Sequence, residues 1–222
     1  SAARPSSSVG SAPQVSGPSL DGFYEGRDLV ELAVRTYEGL GLEVRDILAR
    51  SDLHARPGKS QHAFSSHLDR ETDDGRVLCN LESSERWMST LLHELGHAVY
   101  DQHLGRELPY LLRCAAHTLT TEATAMLFGR LAADPEWLVR IAGVPEAKIR
   151  PAAREIRGFQ RRSMLIFVRW AQVMVRFEQA MYREPEQDLA RLWWDLVERY
   201  QGVRRPEGRD APDWASKLHL AL

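Results

Sequence analysis

The sequence predicts a mainly α-helical protein with a small β-hairpin or edge strand set beside one of its helices. Three observations predict it. Apolar residues recur at helical spacing through most of the chain from residue 28 onward. Helix starts and stops are punctuated by Asp134-Pro135-Glu136, Gly143, Pro145, Pro185 and Gly202. One segment, Gln61 to Leu81, breaks that period and carries an Asp-Gly pair at Asp74-Gly75.

In chain order, residues 1–20 hold seven Ser, three Pro and two Gly and almost no large apolar side chain, so they read as a flexible arm or linker. Residues 21–222 read as one helical domain. Asp28 to Leu48 has Leu29, Leu32, Ala33 and then Val44, Ile47, Leu48 around Gly39 and Gly41, which predicts two short helices or one broken one. The Asp74-Gly75 turn signal divides Gln61 to Leu81 into two short strand-like runs. Ser83-Ser84 then precede an apolar-periodic run through Trp87, Leu91, Leu92, Leu95 and Val99, a helix of about five turns. A further helix is expected from about Leu108 to Leu131, and a short one after the Asp134 cap. Long helices follow from Pro145 to about Arg183 and from Pro185 to Tyr200. Their stripes, Phe159, Met164, Phe167, Trp170, Met174, Phe177 and Met181, then Leu189, Leu192, Trp193, Leu196 and Tyr200, are expected to be packing core.

Composition bounds the function. With 222 residues, 43% hydrophobic and 27% charged, the chain can bury the core of one domain or two small ones. A net charge of −2 gives no footprint for nucleic acid. The two cysteines, Cys79 and Cys114, are too few for a disulfide framework or a thiolate zinc site and are expected to be buried free thiols. The most apolar stretch, Met164 to Phe177, contains Arg169 and Arg176, so no membrane span is expected. With no apolar leader visible, the expected compartment is the cytoplasm.

One motif rises above this background. His93-Glu94-Leu95-Gly96-His97 is an H-E-x-x-H sequence within a predicted helix. The i, i+4 spacing puts both imidazoles on one face, able to converge on one metal ion, while Glu94 sits about 100° round from His93, beside the metal. A catalytic zinc needs a third protein ligand and one open position. His103 has the spacing of an extended motif whose chain reversal requires Gly where this sequence has Tyr100. Glu122, 25 residues beyond His97, is the favoured third ligand, delivered by a second, antiparallel helix, with His117 as competitor or as a partner to a ligand. Gly96 costs about 1 kcal/mol relative to Ala inside a helix, so close approach of another helix or of substrate is expected there.

The stretch from His62 to Glu122 resembles the zinc-binding core of the gluzincin peptidases related to peptidyl-dipeptidase A (angiotensin-converting enzyme) and to the thimet-oligopeptidase and bacterial oligopeptidase families. The resemblance rests on His93 to His97, on Glu122-Ala123, and on His62-Ala63 upstream. It implies a helical zincin catalytic core in which His93, His97 and Glu122 bind one Zn2+ per chain and Glu94 is the general base. It also implies that His62 and Ala63 lie on an edge strand that pairs with the peptide substrate. Met126 stands where the converting-enzyme pattern has an Asp, which leans toward the oligopeptidase side. Those families place an oxyanion-stabilising His and Tyr beyond the last helices. Here His219 is the only late histidine and no tyrosine follows it, so that role is carried onto no residue.

The expectation is therefore zinc-dependent hydrolysis of short peptides by a catalytic domain spanning 21–222 that is short for its relatives. The partner expected is peptide, not nucleic acid or membrane. Two alternatives stand beside it: a zinc-binding fragment, inactive without the remaining part of a longer peptidase chain, and a metal-free helical interaction domain.

Overall fold

A computed structural model describes residues 17–217. The fold is mainly α-helical with one two-stranded antiparallel hairpin. It divides into two compact units, one of Pro18–Arg157 and one from Gly158 onward. Among the described residues no helix is long and apolar enough to cross a membrane.

In the first unit, Asp28 caps α1 (Leu29–Glu38) by accepting hydrogen bonds from the amides of Val30 and Glu31. Gly41, at φ +79°, turns the chain toward α2 (Arg45–Arg50). The glycine pair thus separates two helices. Strands β1 (Phe64–Asp69) and β2 (Asp74–Leu78) pair from Phe64 opposite Leu78 to Asp69 opposite Asp74.

The hairpin turn lies earlier than the Asp-Gly signal predicts, because Asp74 and Gly75 are in β2. The Asp69 carboxylate fixes it by accepting from the Glu71 amide and the Thr72 hydroxyl, and Asp73 takes the left-handed conformation at φ 59°. On the far side of β2 the Asp52–Leu53 segment adds a short ladder, with Asp52 donating to Val77 and receiving from Cys79, and Leu81 donating to Leu53. Both edges of β2 are therefore used, whereas the outer edge of β1 has no backbone partner among the described residues.

Helix α3 (Glu85–Gln102) starts where Ser84 accepts from the Trp87 amide. It turns Met88, Leu91, Leu92, Leu95, Gly96, Ala98 and Val99 into the core, each fully buried Leu or Met contributing about 1.5–3 kcal/mol. Helix α4 (Thr118–Gly129) starts ten residues later than the expected Leu108. Pro109 is extended, Tyr110–Leu112 forms only a 3-10 turn, and irregular chain follows. This overturns the burial expected of Cys114, which is exposed on that irregular stretch, while Cys79 is a buried free thiol. Asp134 caps α5 (Pro135–Arg140) with Pro at the first position, and Gly143 follows at φ +67°. The helix expected from Pro145 is two: α6 (Glu146–Ile149), then a turn at Pro151, then α7 (Ala153–Arg183).

The second unit holds α7 from Gly158 and α8 (Leu189–Gln201), which ends on left-handed Gly202. Its core is Val173, Phe177, Trp193, Trp194 and Val197, with Trp193 edge-on to both Trp170 and Phe177. Phe167 is exposed, contrary to the stripe reading. It lies on the expected face, but the aromatic cluster contributed by α8 covers α7 only from Trp170 onward.

Candidate metal centre

The site is built where α3 meets α4 in the first unit. A Cβ on Gly96 would lie 2.7 Å from the Ala125 Cα, and one on Gly129 would lie 3.1 Å from the Ser89 carbonyl oxygen and 3.2 Å from the His93 Cβ. The crossing helices therefore touch backbone to backbone, which accounts for the glycine inside the motif. The paired contacts run in opposite chain directions, so α4 is antiparallel to α3 and Glu122 comes back over the two histidines.

His93, His97 and Glu122 converge, with their donor atoms all within 4.8 Å of one another. The two Nε2 atoms are 3.2 Å apart, and the Glu122 oxygens stand 3.6 Å from each. Donors set tetrahedrally about 2.0–2.1 Å from a zinc ion lie roughly 3.3–3.4 Å apart; the imidazole pair is near that spacing, and a small rotation of the Glu122 carboxylate, whose two oxygens each face a different histidine, completes the fit. All three side chains are partly exposed, which leaves one side of the cluster open. Burial, followed by the neighbouring His97, holds His93 below the usual imidazole range, and Glu122 opposes them. A neutral imidazole is the form that ligates a metal.

Glu94 points elsewhere. Burial, then the Glu122 charge, push its carboxyl up to about 7, and the backbone of Ser65 on β1 opposes the rise. The group thus stands between the metal cluster and the first strand. Cys79 is near enough to feel that charge, its thiol pushed up to about 12 by burial first and by Glu94 second.

His103 lies outside the cluster. At the end of α3 its Nδ1 is 2.8 Å from the Val99 carbonyl oxygen. His117 precedes α4 and bonds to the Thr120 hydroxyl, 3.1 Å away. His62 and Ala63 immediately precede β1, with His62 exposed and its backbone N–H and carbonyl oxygen both bonded to the Ser60 hydroxyl. His219 falls outside the described residues.

A further polar group stands one turn beyond His97. Asp101 is held above the usual carboxylate range by burial, against the pull of His67, His97 and Arg70. His67 in turn has its Nε2 3.2 Å from Asp73, which also pairs with Arg106 at 3.1 Å. The i, i+4 step from His97 would have pointed to Asp101. Strand alternation would have put His67 on the inward face of β1.

The model of Peptidase family M3 matches residues 46–220. A solved structure, PZ peptidase A with inhibitor 2, superposes with a TM-score of 0.60 at 18% identity, over 84% of this chain and 33% of that one. The chain thus spans about a third of the length of that structure. No curated protein matches the sequence.

Proposed function

The chain belongs to Peptidase family M3, and on that premise we propose that it carries out zinc-dependent hydrolysis of peptide bonds. The observation that carries this reading is the convergence of His93, His97 and Glu122 from two helices onto one point with an open side. Those three residues would hold the ion. A zinc ion held there would supply a Lewis acid for the scissile carbonyl and would lower the pKa of the attacking water toward about 7.

The remaining roles belong to the protein. Glu94 takes the proton of the attacking water on its carboxylate and returns it to the leaving amine nitrogen, so no covalent enzyme intermediate is needed. A buried carboxyl whose hold on a proton is raised above the usual carboxylate range is suited to take that proton and to give it up again. The free edge of β1 takes the substrate as an added strand, with His62 and Ala63 at its entry and the exposed Phe64 and Leu68 offering apolar contact. An extended backbone on that edge suits short unfolded peptides.

Hydrolysis of a quenched-fluorescent peptide by zinc-loaded protein, compared with Glu94→Gln, tests the reading. Activity that Glu94→Gln abolishes without loss of zinc is the expected result, and equal rates in the two proteins would refute it. A second reading, a zinc-binding portion that needs further chain for catalysis, is favoured by the one-third span of the solved relative. It predicts stoichiometric zinc and no cleavage by either protein.

A further inference from the structure

Lys59 carries a charge into a buried place. Its side chain is 1% exposed. The ammonium donates to the Asp52 carbonyl at 2.9 Å, the Asp52 carboxylate at 3.0 Å, the His54 carbonyl at 2.9 Å and the Cys79 carbonyl. An ammonium has three protons, so four acceptors saturate it, which is the condition for burying such a group at all. The acceptors come from two segments, Asp52–His54 alongside β2 and Cys79 just past the end of β2. Asn80, also buried, extends the tie by donating its side-chain amide to the Ser60 carbonyl at 2.8 Å. The Ser60 hydroxyl then bonds the His62 backbone. Two residues further on, Phe64 opens β1 opposite Leu78, the neighbour of Cys79.

These bonds form a closed circuit around the loop that leads into β1. None of them reaches His93, His97, Glu122 or Glu94. We infer that Lys59 is a positioning residue for peptide binding: its ammonium pins the 54–63 loop to the end of β2 and so holds the free edge of β1 in register with Glu94. This rests on the proposed use of β1 as the substrate edge. Preorganisation of that edge is what Lys59 contributes, so its loss weakens peptide binding and leaves the metal centre intact.

The test uses zinc-loaded protein in the Glu94→Gln background, where binding is read without turnover. Lys59→Met keeps the aliphatic stem and removes the ammonium. The dissociation constant of an extended fluorescent peptide is expected to rise about tenfold, as the edge loses its preorganisation. Amide exchange at residues 60–66 is expected to rise at least about tenfold while exchange in α3 and the zinc dissociation constant stay within about twofold. Should Lys59→Met also unprotect α3, Asn80→Ala decides, since it loosens the same loop without deleting a buried charge. It is expected to raise both local exchange and the peptide dissociation constant about threefold. Peptide affinity indifferent to the loosened loop, or exchange at 60–66 unchanged in both variants, overturns the inference. Failure of hydrolysis with binding still dependent on Lys59 counts against the proposed function and not against Lys59.

Discussion

Helix α3 turns seven residues into the core of the first unit, whereas α4 buries only Ala125, Phe128 and Gly129 and leaves Leu119 and Leu127 largely in solvent. Both carry donors to the same cluster. α3 is held by an amphipathic face and a serine cap. α4 is held mainly by close backbone approach, through Gly96 against Ala125 and Gly129 against Ser89 and His93. Tyr37 of α1 bridges the two, donating its hydroxyl to the Leu92 carbonyl and stacking on Phe128 with ring centroids 4.3 Å apart. The proposed metal site is thus a pair of imidazoles on the well-buried helix, completed by a carboxylate on a less buried one.

That contrast can be broken or sharpened by substitution. The largest effect is expected from Glu122→Ala, which leaves α3 whole and removes the only donor from α4. Zinc affinity, read by competition with a chromogenic chelator, should fall by more than about 100-fold, beyond the loss typical of a residue that only supports a ligand. An unchanged affinity would mean the metal is held by α3 alone.

Gly96→Ala comes next. Its new methyl meets the Ala125 backbone at 2.7 Å, closer than real contacts allow, so the helices must part. A loss of about 1–3 kcal/mol in denaturant melts is expected, together with weaker zinc binding. Gly129→Ala, with nearest contacts of 3.1 and 3.2 Å, should follow in the same direction with a smaller cost. Equal effects at the two positions would contradict the account of the crossing.

Tyr37→Phe should cost about 1 kcal/mol, since it keeps the stack on Phe128 and deletes one buried hydrogen bond. The Leu92 carbonyl is left to its helical bond. The smallest effect is electrostatic. Burial, reinforced by Asp21, holds the Glu85 carboxyl at the start of α3 above the usual range. The folded protein therefore holds on Glu85 a proton that the unfolded chain releases first, and the contribution of this group to stability is greatest below the unfolded glutamate pKa and falls as pH rises through the folded one. Glu85→Gln should flatten that fall, as seen in melts at pH 4 to 8, and a slope identical to wild type would sink the assignment.

Much of α3 was legible because its cap, its apolar period and the H-E-x-x-H spacing all point the same way. Helix α4 lies in the region its sequence predicts but starts at Thr118. Leu108, Tyr110, Leu111 and Leu112 imitate a helical stripe, but extended Pro109 and the loop before His117 leave them largely exposed. The arrival of Glu122 at the histidines depends on a backbone crossing, and of that crossing only Gly96 showed in the sequence. The hairpin lies where the sequence predicts it but turns earlier, since Asp69 builds a turn by side-chain bonds that outweigh a neighbouring Asp-Gly pair. Lys59 gave no signal at all. A lone lysine next to Gly58 reads as solvated, and only the folded loop supplies its four acceptors.

Two helices of this chain are proposed to complete one zinc site. Anomalous diffraction collected on either side of the zinc absorption edge, from crystals grown with stoichiometric zinc, tests it most directly. One peak per chain is expected, about 2.0–2.2 Å from His93 Nε2, His97 Nε2 and a Glu122 oxygen, with one position open. A peak lacking Glu122, a peak at another cluster, or no peak at all would contradict it.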